Sequence, residues 1–415
     1  MKKPMVSLTL IAVAGISGLL ASCELFKGDP LPDEPVPIDL TLKQKEVVAS
    51  ANKFAFDLFV PILTGEEGAE NIMISPFSIT SALSMTLNGA AGETFEAMKT
   101  TLCYGDQTIE EINDTYLKLM TDMVPVDQRV TMEIANSVWV RENLDVVPDF
   151  ITALEKWYLA QAESFNPSDP GAADMVNEWI AQKTHDKIQK MLDSMDPDIA
   201  MLLINAIYFK GKWSSEFDKD DTETLPFYVT PNSPVQVPMM KQTHDFAVAD
   251  AGNATLVELP YGQGNYSMVV MLPDEGFTVA DAAATLTPES WDTWMTALKI
   301  GITEVDLTLP RFKYEYKRTL NDDLKALGME VAFDPINADF SKMCYHPLVI
   351  SFVLHQTFIE NNEEGTEAAA ATVVGMVDTA MPLITTINID RPFLYFIRET
   401  STGTIVFMGQ VADPR

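Results

Sequence analysis

Helices come first along this chain and strands dominate its second half, an order that argues for an α+β fold with large antiparallel or mixed sheets and against a regular βαβ wind. Over residues 41–60, Val47, Val48, Ala51, Phe54, Ala55, Leu58 and Phe59 fall on one helical face, and Pro61 marks the expected end. Ser75 followed by Pro76 reads as an N-cap with proline at the first helical position, opening a helix through Leu87 that ends at Gly89. Further helices are expected over 108–123, 148–159, 171–183 and 319–327. Strand-like runs cover 131–141, 200–209, 255–259, 266–272, 304–309, 348–360, 384–389, 393–399 and 404–411. With no repeat and no second linker in this succession, residues 41–415 are expected to form one domain.

Residues 1–22 stand apart. Lys2 and Lys3 precede an apolar run from Leu8 to Leu20, too short and too rich in Gly and Ser for a membrane span, so the stretch reads as a signal peptide. It closes on Leu20-Ala21-Ser22-Cys23, which resembles the bacterial lipobox, whose cysteine becomes the lipidated first residue. The bland alternative is an ordinary signal peptide cut before a chance cysteine. Residues 23–40 set Pro30, Pro32, Pro35 and Pro37 among Asp29, Asp33, Glu34 and Asp39, a composition of extended chain, and are expected to form a tether free of the fold. At about 3.1 Å per residue it reaches roughly 40 to 50 Å from a lipid at Cys23. The protein is therefore expected to be exported and lipid-anchored to an outer membrane, facing the periplasm or the cell surface, with the lipid as its only membrane contact.

Hydrophobic residues at 47% suffice for a large core, while 28 Lys and Arg against 60 Asp and Glu give a net charge of −32. So acidic a chain repels phosphate backbones, and nucleic acid is not an expected partner. Cys23, Cys103 and Cys344 include no Cys-x-x-Cys spacing. Gly-x-Ser-x-Gly, His-Glu-x-x-His and Walker motifs are missing, and only His185, His244, His346 and His355 are available for imidazole chemistry. The carboxylates are too dispersed to single out a catalytic pair, so most belong to a solvated face and no enzyme is expected.

The most informative segment is 358–375. It leaves a strong strand, turns acidic at Glu360, Glu363 and Glu364, and passes through Gly365 into small residues. With period two, one face carries Thr366, Ala368, Ala370, Thr372 and Val374, and the other Glu367, Ala369, Ala371 and Val373. The first face is small and uncharged, so it can be accepted between two strands without desolvating a charge. An alanine-rich surface helix fits the same residues, and periodicity leaves both readings open.

The run Glu363-Glu364-Gly365-Thr366-Glu367-Ala368-Ala369-Ala370-Ala371-Thr372 closely resembles the hinge of inhibitory serpins. Residues 71–79 (Asn-Ile-Met-Ile-Ser-Pro-Phe-Ser-Ile) are similar to the family's opening of helix B, and 205–213 (Asn-Ala-Ile-Tyr-Phe-Lys-Gly-Lys-Trp) to a strand of its main sheet. Val237-Pro238-Met239-Met240-Lys241, Leu309-Pro310-Arg311-Phe312, Ala338-Asp339-Phe340-Ser341, Asp390-Arg391-Pro392-Phe393 and Val406-Phe407-Met408-Gly409 resemble further signatures in the family's order.

The resemblance implies a serpin fold of three β-sheets and about nine helices, with an exposed reactive-centre loop. It implies a monomeric suicide-substrate inhibitor of serine proteases, with cysteine proteases as a further class, that traps the acyl-enzyme as the cut loop inserts into the central sheet. No cofactor and no metal is implied. Ser75, Ser78, Asn205 and His355 match the family's shutter, and Trp213 its breach, where the loop first enters. The family's spacing from Gly365 places the reactive bond between Thr379 and Ala380, with Met376 and Met381 as alternatives because the interval to Pro392 is longer than usual. With no Arg or Lys between Gly365 and Asp390, elastase-, subtilisin- or chymotrypsin-like proteases are favoured over trypsin-like ones. A non-inhibitory serpin-like binding protein at the cell envelope is the alternative function.

Overall fold

A computed structural model describes residues 34–65, 70–366 and 384–415. The expected lipidation site Cys23, the hinge residues Glu367 to Thr372 and the reactive-bond candidates Met376, Thr379, Ala380 and Met381 lie outside these residues. Among the described residues there are nine α-helices: α1 (Leu42–Gly65), α2 (Pro76–Leu87), α3 (Gly92–Thr101), α4 (Ile109–Met123), α5 (Pro148–Tyr158), α6 (Ala172–Lys183), α7 (Val279–Ala283), α8 (Pro288–Leu298) and α9 (Asn321–Leu324). The strands are β1 (Ile72–Ile74), β2 (Val130–Arg141), β3 (Gln161–Phe165), β4 (Met201–Lys212), β5 (Glu223–Thr230), β6 (Ser233–Asp250), β7 (Ala254–Tyr261) and β8 (Tyr266–Pro273). They continue with β9 (Ile302–Pro310), β10 (Phe312–Thr319), β11 (Leu354–Asn362), β12 (Gly365–Thr366), β13 (Thr385–Asn388), β14 (Phe393–Glu399) and β15 (Ile405–Val411).

Hydrogen bonding joins these strands into two sheets. One runs β1-β15-β14-β8-β7-β6-β9-β13 with β5 paired to β6, and the other runs β10-β11-β12-β4-β2-β3. The count of two, where three are expected, follows from the 18-residue β6. Its first part pairs with β5, its middle with β9 and its end with β7, so two layers share one strand.

Helix α1 runs through Pro61 to Gly65 instead of ending before it. Proline removes one backbone donor, but here it falls in the last stretch of the helix, and the helical path beyond it buries Ile62 and Leu63. Helix α2 keeps its expected bounds, with Ser75 accepting from the Ser78 N–H as N-cap. Nearly all its residues are buried because it lies between the two sheets, against β4 and β15. The helix expected over 319–327 appears as α9 continued by a π-helical turn over Lys325–Met329, and Gly328, at φ 107°, breaks the helical path just beyond the expected end. The strand expected from residue 348 starts only at Leu354, opposite Thr319, where β10 ends.

Most buried side chains form one core around α1, α2, β8, β14 and β15. A smaller cluster, including Trp139, Trp179, Ile180 and Leu202, packs α6 on the outer face of the six-stranded sheet. The stretch read as a tether reaches the body before residue 41. Ile38 and Leu40 are buried, the Ile38 N–H donates to Ser401 Oγ at 2.8 Å, and Asn265 Nδ2 donates to the Val36 carbonyl at 2.7 Å. Two apolar side chains among the prolines suffice to seat it.

Candidate functional site

Between β11 and β12 the chain reverses over Glu363 and Glu364. Gly365 follows at φ 132°, and a Cβ there would lie 2.1 Å from the Gly211 carbonyl oxygen, so no other residue fits this approach. Gly365 and Thr366 then pair on both sides, Gly365 with Lys212 and Asn362, Thr366 with Gly211 and Asn361. Thr366 is buried, its hydroxyl 2.9 Å from that of Tyr261. Tyr261 in turn stacks on Trp213, with ring centroids 4.4 Å apart and planes at 8°. The Trp213 indole N–H donates to the Asn362 carbonyl at 3.0 Å and its backbone N–H to the Glu364 carbonyl at 2.9 Å. Trp213 therefore holds the reversal from the β4 side.

The two carboxylates of the turn are neutralised locally. Glu363 is buried and accepts from Arg311 Nε at 2.6 Å and from Thr222 Oγ1 at 2.5 Å. Burial would raise its carboxyl, but the hydrogen bonds from Arg311 and Thr222 outweigh it and hold Glu363 below the usual carboxylate range. Glu364 pairs with Lys219. Of these partners only Arg311 lies in a motif singled out in the sequence; Thr222 and Lys219 come from an irregular stretch with no periodic signal.

Below Thr366 the described part of the sheet is parted. Among the described residues β4 and β11 each pair with β12 and not with one another. A cleft of about 350 Å³ lies between them, lined by Thr366 at one end and by Tyr208, Phe358, Asn205, Ser75 and Ser78 along its length.

The expected shutter residues converge beneath that cleft. The Ser75 N–H donates to His355 Nε2 at 3.0 Å, and Ser75 Oγ donates to the Val406 carbonyl at 2.7 Å. Burial lowers the His355 imidazole to about 4, so it stays neutral and accepts from Ser75. Ser78 Oγ reaches only the backbone carbonyl of Asn205, at 3.5 Å. The Asn205 side chain turns away, its Nδ2 donating to Asn136 Oδ1 at 2.8 Å, which makes Asn136 a member of the group that sequence reasoning missed.

Among the described residues, then, Gly365 and Thr366 pair with both β4 and β11 at the head of a cleft that lies between those two strands. A family model described as Serpin (serine protease inhibitor) matches residues 49–414. Human Serpin B8 is 36% identical over 368 residues, covering 87% of this chain and 97% of the relative. Human leukocyte elastase inhibitor is 35% identical over 382 residues, covering 89% and 100%. The solved structure of human thyroxine-binding globulin with thyroxine matches at a TM-score of 0.81 and 27% identity, covering 90% of this chain and 99% of that one. The chain belongs to the serpin family.

Proposed function

We propose that this serpin is a suicide-substrate inhibitor of serine proteases, with cysteine proteases as a further class. The protease nucleophile attacks the carbonyl of Thr379, an ester (or thioester) forms, the Thr379–Ala380 peptide bond breaks, and the Ala380 amine leaves with a proton. The freed strand then runs into the parted sheet before water reaches the ester. The observation that supports this reading is β12: Gly365 and Thr366 already occupy the head of the cleft between β4 and β11, two strands that among the described residues do not pair with one another.

Elastase-like enzymes are the proposed targets. A relative bears the name leukocyte elastase inhibitor, and small Thr379 or apolar Met376 and Met381 suit such pockets. The protein is proposed to act at the cell envelope through a lipid on Cys23, and Cys23→Ser should move it from the membrane to the soluble fraction. A second reading, a binding protein, is favoured by the similarity to thyroxine-binding globulin. A denaturing gel after incubation with an elastase separates the two. A band surviving SDS near the summed mass is expected, and it should vanish in Thr366→Arg, which forces a guanidinium onto a buried position. Cleavage of the wild-type loop with no such band rejects inhibition.

A further inference from the structure

Where the chain comes back from the loop, one face of the nine-stranded sheet is left open. Thr385 and Thr386 of β13 pair with Val305 and Asp306 of β9, and β9 pairs on its other side with β6, setting Thr243 opposite Asp306, Asp245 opposite Glu304 and Ala247 opposite Ile302. Paired residues point to the same face, as do residues two apart on one strand. One face therefore carries Ile302, Glu304, Asp306, Thr243, Asp245 and Thr386. The other carries Val305, Leu307, Phe246 and Ile387, all buried.

The open face joins exposed apolar groups to unbalanced charge. Ile302 is 67% exposed, Ile300 just before it 86%, and Ile384, the last residue before β13, 47%; β9 and β13 run parallel, so all three stand at one end of the face. Exposed apolar groups gathered in this way, unlike scattered ones, mark a contact surface. Asp245 and Glu304 are directly opposed, a pairing of like charges that costs stability, and Asp306 follows on the same face. Among the described residues none of the three makes an ion pair, and Lys241, the one Lys or Arg in these strands, is held by Glu223 at 2.7 Å. A second copy of a chain at −32 would be repelled from such a face, whereas a basic protein would relieve its charges. Because β13 is the strand by which the loop re-enters the body, a protease holding the loop is brought to this face.

We propose that the open face of β6, β9 and β13 is a docking surface for the target protease, which sets a basic, partly apolar patch against it while its active site holds the loop. Ile302 and Ile384 make the apolar contact, and Asp245, Glu304 and Asp306 supply the attraction. The proposal rests on the inhibitory reading above and deepens it by naming the chemistry of the target outside its specificity pocket: a cationic enzyme, selected by its rate of encounter.

The test uses the full chain and compares wild type with a Glu304→Gln, Asp306→Asn double variant and with Ile302→Thr, each against a basic elastase and an anionic one. With the basic enzyme the charge variant should form complex roughly three- to tenfold more slowly at low salt, a loss that fades as salt rises to about 1 M. The anionic enzyme should be no slower. Ile302→Thr should slow the basic enzyme by roughly two- to fivefold at every salt concentration. Both variants should keep the wild-type gain in heat resistance after a single loop cut, since none of these residues lines the cleft. Unchanged rates with the basic enzyme, or equal slowing with both enzymes, overturn the docking surface. So does a wild-type dimer that Ile302→Thr dissociates, which gives the face to a second copy. If the wild type forms no SDS-stable complex, the inhibitory reading fails by itself, and an elastase whose catalytic serine is replaced by alanine then decides the rest: weaker binding to both variants upholds the docking surface, and equal binding overturns it.

Discussion

Acid should loosen this protein through one residue, His355. Its imidazole is buried and lowered from an ordinary 6.5 to about 4, and its Nε2 lone pair receives the Ser75 N–H. Protonation would set a second N–H against that donor in a dry site. Between these two values the unfolded chain binds a proton that the folded one refuses, so stability rises with pH across the window. The contribution is fully present above the unfolded value of 6.5 and is lost as pH falls towards 4. Two and a half units at 1.36 kcal/mol each amount to about 3 kcal/mol over the whole window, of which about 2 kcal/mol is lost by pH 5. Carboxylates titrate nearby, so the readout is a difference. Urea unfolding, followed by tryptophan fluorescence at several pH values from 7 to 4.5, is compared between wild type and His355→Gln. The variant should be less stable at neutral pH, having lost a fitted acceptor, and its stability should fall less steeply with acid. Parallel slopes for the two proteins would refute the argument.

Three further outcomes are expected. Gly365→Ala should expel the hinge from the sheet at a cost of roughly 1–3 kcal/mol, because its methyl would meet the Gly211 carbonyl; faster amide exchange at Gly211 and Asn362 checks this. Arg311→Met should leave the buried Glu363 carboxylate short of a partner and lower stability by roughly 1–3 kcal/mol, measured by the denaturation midpoint at neutral pH. After reaction with an elastase, intact mass should show a C-terminal fragment beginning at Ala380; a start at Val377 or Pro382 would move the reactive bond to Met376 or Met381.

Much of this architecture is written locally. Ser75-Pro76 marks the start of α2, and the apolar runs behind β8, β14 and β15 mark fully buried strands. Apart from β10, what stayed hidden was decided at long range. In β10, Phe312, Tyr314 and Tyr316 alternate with Lys313, Glu315 and Lys317, a pattern that periodicity can find and that the expected strands omit. The long β6 offers no such pattern, since its two faces change burial as it passes from one partner to the next. At the hinge, Glu363 and Glu364 stand out as acidic, but their neutralisation depends on Arg311 and Lys219, brought in by the fold. The seating of Ile38 and Leu40 was masked by the prolines around them.

Adding a strand to a sheet has a slow part and a fast part. The slow part is nucleation, when the chain gives up freedom to make its first contacts; propagation then fixes one residue at a time against edges already in line. In this molecule Gly365 and Thr366 are already paired on both edges. If the loop is cut as proposed, the strand behind them extends an existing ladder, so capture starts from elongation and not from nucleation.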